Sequence, residues 1–343
     1  MSRRRNWLLS VAIAAALALI AIGILSPRSA AAGWLIAFVY VCAIPLGSLA
    51  LLCVHRLTGG HWGNALRPSF EVAAAGIVPL AISFIVVLIG LPVLFPWVLG
   101  EVVVTPDVGV FYLNAPLFIV RAIVAFAGWS MLALLLPTVR GRRGTMFAAL
   151  GLIFFAVVTS FVWIDWILSA EPAFISTSFG ASVAVSQILA ALAFAALAAP
   201  ELDQRAMRDL GGLMLATVLG LTYIDFMAVL VIWYGDLPEK VGWFVVRAFA
   251  PWTWLAFAAL VFVSVLPVLA LLLERVRTSR AALRAVGASI LLGLAFYDGY
   301  LIAPAYGLGS LATAVLALAV LSSALVLLAG VNWLALAARW RPA

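Results

Sequence analysis

Apolar residues run through this chain in long unbroken stretches, separated by short polar segments rich in arginine. Ten stretches can be drawn, at roughly residues 7–25, 31–54, 72–98, 117–136, 145–168, 179–200, 210–234, 250–273, 283–306 and 311–338. Each is long enough to cross about 30 Å of hydrocarbon as a helix. The alternating segments of about ten residues that mark a transmembrane barrel are absent. The pattern predicts an all-α, polytopic transmembrane protein of about ten helices, forming one integral membrane domain over residues 1–343.

The first stretch follows Arg3, Arg4 and Arg5, the charge order of a signal peptide. It is longer than a typical signal-peptide core and leads, past Ser26–Ala32, straight into the second stretch, so it reads as a retained helix. Lys240–Arg247 reads as a short interfacial helix before Pro251, because a proline disfavours α geometry at the residue before it. Several tryptophans near the same level, including Trp233, Trp243, Trp252 and Trp254, suit an interfacial belt.

Composition sharpens the class. The chain is 67% hydrophobic and 10% charged, with net charge +7; a soluble domain carries about 25% charged residues. If the N-terminus starts inside, 16 of the 20 basic residues fall in cytoplasmic segments. These are Arg3–Arg5, Arg56, Arg67, Arg140, Arg142, Arg143, Arg205, Arg208, Arg275, Arg277, Arg280, Arg284, Arg339 and Arg341. The outer loops hold Arg28 and Lys240 with Glu101, Asp107, Glu171, Asp236 and Glu239. This asymmetry predicts a multi-pass protein of a bacterial inner membrane with both termini cytoplasmic. The arginines are dispersed rather than clustered on one face, which argues against nucleic-acid binding.

The candidate chemistry lies in the charges inside apolar runs: Asp165, Asp225, Asp298, Arg121 and Arg247, all toward the outer side. Carboxylates in hydrocarbon normally face a protein interior, a wet cavity or a partner charge. Three readings stand. The acids and arginines form ion pairs that clamp the bundle, or a proton half-channel extended by Thr222, Tyr223, Tyr297, Tyr300 and Tyr306, or a quinone head-group pocket in which a carboxylate accepts a quinol proton. The glycine-rich segment from His55 to Gly63, with His61, is either a simple connection or a site of partner docking or proton uptake. His55 and His61 are the only histidines and share that segment, which argues against a haem held by histidine pairs. Cys42 and Cys53, eleven apart, sit about 16 Å apart along a helix, too far for a disulfide. No metal-ligand spacing occurs.

Four segments carry a resemblance. They are GSLALLCVHRLTGGHWG from Gly47 to Gly63, continuing to Arg67, Pro68 and Glu71; Phe111–Asn114 followed by Arg121; WIDWILSAEPAFISTSFG from Trp163 to Gly180; and LVIWYGDLPEKVGWFVVR from Leu230 to Arg247. In this order they resemble the F-type membrane subunit of alternative complex III, the bacterial quinol:cytochrome c oxidoreductase unrelated to the cytochrome bc complex. The resemblance spans roughly residues 33–300. It implies a fold like that of polysulfide reductase membrane subunits, with two four-helix bundles flanked by extra helices. It also implies a sister membrane subunit, an iron–sulfur peripheral subunit, c-type haem subunits and, for a chain shorter than full members, a coupled terminal oxidase. Haem and iron–sulfur clusters would then sit on partners, with no group bound covalently here and quinone or quinol as the one ligand to consider.

The function expected is therefore that of a membrane subunit in a quinol-oxidising electron-transfer complex, with no redox centre of its own. A stand-alone proton channel or secondary transporter is the alternative; it suffers from the lack of a visible repeat. A structural or assembly subunit is the third.

Overall fold

The computed structural model describes residues 2–102, 105–172, 174–236 and 238–339; Arg341 lies outside them, and the side chains of Arg3–Arg5, Glu239 and Arg339 are likewise outside the described ones. The chain is an all-α polytopic membrane protein, with ten helices among the described residues long and apolar enough to cross a bilayer. We number them α1 (Ser2–Leu25), α2 (Pro27–Thr58), α3 (His61–Ile89), α4 (Ala115–Leu135), α5 (Gly141–Trp166), α6 (Phe179–Ala198), α7 (Gln204–Gly235), α8 (Trp252–Leu272), α9 (Arg280–Ile302) and α10 (Gly309–Arg339).

Helices α2 to α5 pack in a closed ring, and α6 to α9 form a second ring. The rings meet where α6 lies against α2 and α5, and where α9 touches α2. Helices α1 and α10 pack on each other and on α2, outside both rings. Small residues permit the closest crossings. A Cβ at Gly47 would overlap the backbone carbonyl of Gln187 on α6, and one at Gly33 would overlap Thr313 on α10.

The first ring is filled by aromatics. Trp166 lies 4.5 Å from Phe84 and stacks on Phe126 at 5.5 Å between centroids, with Phe38 and Trp129 around it. Such rings fill space densely and favour tilted contacts. The second ring lacks this filling and contains a cavity.

Several boundaries differ from the hydropathy reading, among them the end of the third span, where the helix stops at Ile89 rather than near residue 98. Helices α2 and α3 continue through the polar segment to Thr58 and from His61, so the connection is only Gly59 and Gly60. Both glycines have positive φ, +70° and +110°, which other residues rarely adopt. The helices persist beyond the apolar runs because one face stays covered: Leu66, Phe70 and Ala73 are buried. The interfacial helix runs from Pro238 to Arg247, two residues longer than expected, with proline suited to the first turn.

Candidate functional site

Asp225 sits on α7 in a stripe with Leu221, Thr222 and Val229, spaced so that one face of the helix presents them together. Its Oδ1 accepts hydrogen bonds from Ser182 Oγ of α6 at 2.5 Å and from Tyr297 Oη of α9 at 3.2 Å. The two hydroxyls lie 3.0 Å apart. Three helices of the second ring thus close a carboxylate–serine–tyrosine triangle. Among the described residues Asp225 has no cationic partner.

Two corners of this triangle, Asp225 and Tyr297, line a cavity of about 330 Å³ between α7, α8 and α9. In its wall the Thr222 and Ser264 hydroxyls are hydrogen-bonded to each other at 2.7 Å, and Tyr300 completes the polar lining. Most of the remaining wall is apolar, and Phe226, 60% exposed, and Leu260 stand at its lipid-facing side. The cavity therefore opens sideways toward the bilayer. Ser264 is carried by a π-helical segment, Leu260–Val265, a local widening of α8 of the kind often found at functional sites. Ser289 Oγ donates to the Phe262 carbonyl at 2.9 Å, satisfying a backbone group within that segment.

Asp298 follows Tyr297 directly, and one step along a helix turns the side chain by about 100°. It faces the seam between the rings instead, beside a void of about 10 Å³ lined by Tyr40, Trp163 and Gln187. Gln187 is 1% exposed, yet among the described residues neither of its amide atoms has a partner, nor does Trp163 Nε1. Asp298 has no ion-pair partner among the described residues.

The other candidates are committed elsewhere. Asp165, 1% exposed, takes two hydrogen bonds from Arg121, Nε to Oδ2 at 2.6 Å and Nη2 to Oδ1 at 3.1 Å. Arg121 also donates to the Tyr112 carbonyl at 2.9 Å and lies 4.1 Å from the centre of the Tyr112 ring. Burial, with the nearby Asp165 charge, pushes the Tyr112 phenol well above its ordinary range, so it stays protonated. Arg247, fully buried, closes on Glu171 through two hydrogen bonds, one of 3.3 Å from Nη1. It also donates to the carbonyls of Leu301 at 2.9 Å and Tyr300 at 3.3 Å, and lies 3.6 Å over the Trp243 ring.

The sequence expectation of three acids and two arginines at one level thus resolves into separate groups. Arg121–Asp165 locks the first ring, Arg247–Glu171 ties the α5–α6 link to the interfacial helix and the end of α9, and Asp225 and Asp298 are left without cations. Tyr223 does not join them; it is 64% exposed on the outer face of α7. Its neighbour in sequence took the inward position. His55 and His61 are at the arginine-rich end of the helices: His55 Nε2 donates to the Gly60 carbonyl at 3.2 Å, and His61 Nε2 lies 3.2 Å from Asp203 at the start of α7.

Ser182, Glu171, Gln187 and Ser264 were not singled out from sequence. A signal for two of them exists: Ser178, Ser182 and Ser186 recur every four residues in an apolar run, followed by Gln187. Among the described residues no three His, Cys, Asp or Glu side chains converge on a metal position. The groups at the cavity suit hydrogen bonding to an uncharged polar head with an apolar body. No protein-family model matches this chain, and no curated protein matches it.

Proposed function

We propose that this chain is an integral membrane subunit of a respiratory quinol:cytochrome c oxidoreductase of the alternative complex III kind, and that the cavity of the second ring is its quinone contact. The observation that supports this most is a carboxylate without a counter-ion, held by two hydroxyls, in the wall of a cavity open to lipid. The volume, about 330 Å³, falls within the range of small-ligand sites. An amphipathic ligand from the bilayer can enter sideways, with its tail along Phe226 and Leu260.

A bound quinol supplies two electrons and two protons, and the electrons would pass to haem and iron–sulfur groups on partner subunits. This chain's part is to position and deprotonate. Asp225 accepts one proton at a carboxylate oxygen, passes it on, and then accepts the second, while Ser182 and Tyr297 hold that carboxylate in place. Tyr297 and Ser182, 3.0 Å apart, offer the next hydrogen-bonded step.

Proton passage through the seam is a second reading, supported by Asp298 and by the unpartnered amide of Gln187 beside it. A protonatable acid inside a membrane bundle is a common element of proton relays. The distribution of basic residues supports a bacterial inner membrane location with both termini cytoplasmic.

Purification of the tagged chain in mild detergent from its native membrane tests the proposal. Co-purifying iron–sulfur and c-type haem subunits, a sister membrane subunit and quinol:cytochrome c activity are expected. A lone colourless protein overturns the reading and leaves transport to be assayed; co-purification with normal turnover after Asp225→Asn leaves a structural or assembly subunit.

A further inference from the structure

The arginine-rich end holds a cavity that the proposed function does not use. Its volume is about 280 Å³, and it lies between the end of α2, the start of α3 and the link from α4 to α5. Arg56, Arg67, His55, Asn64 and Glu71 line it, with Leu136 on an apolar side. Glu71 is already neutralised, because Arg67 Nε donates to its Oε1 at 2.6 Å. Arg56 Nη2 donates to the Val139 carbonyl at 2.5 Å, which fixes the guanidinium. Its other N–H groups, the Nη groups of Arg67 and the Asn64 amide have no protein acceptor among the described residues.

Two arginines against one carboxylate leave the cavity positive, and Arg140 at the end of the adjoining link and Arg142 and Arg143 in the first turn of α5 stand exposed. Helix α3 starts at His61 after Gly60 without a side-chain cap, so its first-turn N–H groups add positive potential there. Leu136 is buried at the cavity, and the two residues before it on the last turn of α4, Leu134 and Leu135, turn outward, exposed and apolar. Fixed guanidinium groups above a hydrocarbon-facing surface match one kind of ligand: a phosphate carried on acyl chains.

We propose that this cavity binds the phosphodiester headgroup of an anionic phospholipid. Arg56 and Arg67 grip the phosphate oxygens, Asn64 donates to them from α3, and the acyl chains lie along the last turn of α4. A free phosphate would use the donors but not the apolar side.

Native mass spectrometry of the full chain, released from micelles containing dioleoyl phosphatidylglycerol or dioleoyl phosphatidylcholine, tests this. Phosphatidylglycerol adducts are expected to persist where phosphatidylcholine is stripped. R67Q is expected to weaken them about fivefold, and N64A by a smaller factor. Neither variant touches the Arg56–Val139 contact; R67Q takes the cation from Glu71 but keeps an amide donor for it, and N64A leaves the Arg67–Glu71 pair intact, so equal thermal unfolding in phosphatidylcholine micelles is the check that both fold. Equal retention of the two lipids, or adducts unaffected by R67Q and N64A together, overturns the proposal. Displacement of phosphatidylglycerol by millimolar inorganic phosphate overturns the lipid assignment in favour of a free-anion site.

Discussion

Arg121 grips Asp165 through two parallel hydrogen bonds of 2.6 and 3.1 Å, joining α4 to α5 across 44 positions of sequence. Asp165 is thereby ion-paired, unlike Asp225 and Asp298, which have no cationic partner among the described residues. Removing only the cation strands a buried charge. Arg121→Leu is expected to destabilise the protein by about 3–5 kcal/mol, and Arg121→Leu with Asp165→Leu by much less. Thermal unfolding in detergent measures both; a double variant as unstable as the single one would contradict the pairing.

Asp225 differs because its partners are neutral hydroxyls. In Asp225→Asn the side-chain carbonyl still accepts from Ser182 or Tyr297, so the protein should accumulate normally. Loss of the proton acceptor is expected to lower quinol turnover about 10²-fold. Tyr223→Phe, on the outer face of the same helix, should change neither. Immunoblots and quinol-dependent cytochrome c reduction in membranes read the two effects separately.

Arg247 holds Glu171, three backbone carbonyls (Trp243, Tyr300 and Leu301) and the Trp243 ring at once. A lysine cannot reproduce a planar fork over an aromatic face. Arg247→Lys should therefore unfold at lower temperature than Glu171→Gln, which keeps one acceptor oxygen. Proteolysis of the α5–α6 link should quicken in both; an unchanged cleavage rate in Arg247→Lys would refute this role.

Gly47 and Gly212 make a matched pair. A methyl at Gly47 meets the Gln187 backbone, whereas one at Gly212 meets nothing within 4 Å. Gly47→Ala should cost about 1–3 kcal/mol through forced separation of α2 and α6. Gly212→Ala should be neutral or stabilising by up to about 1 kcal/mol. Unfolding temperatures of the two variants decide it.

The native cysteines are both buried, so they form a quiet background for single-cysteine labelling. With the arginine-rich end cytoplasmic, Arg142→Cys should react with an impermeant maleimide only after cells are permeabilised, and Asp236→Cys should react in intact cells. The reverse pattern would invert the proposed topology.

Ten spans, their class and the amphipathic turn before Arg247 were legible in the sequence, because hydrocarbon thickness imposes a run of about 20 apolar residues on each crossing. The ends of α2 and α3 were not, since hydropathy sees the loss of apolar residues at His55 but not the neighbours that keep Leu66 and Phe70 covered. The rare charges were visible for the same reason that they are costly in lipid. Their partners were not: a single step from Tyr297 to Asp298 turns one side chain into the cavity and the next into the seam, and which helix stands opposite is set by packing. Arg247 meets Glu171, 76 positions away, and Ser182 meets Asp225, 43 away, because the second ring closes α6 onto α7 and α9. Sequence by itself determined that the chain is a membrane bundle with charges to accommodate. Only the tertiary structure decided which of those charges are paired and which face a cavity, because ring closure, and not spacing along the chain, sets the distances between them.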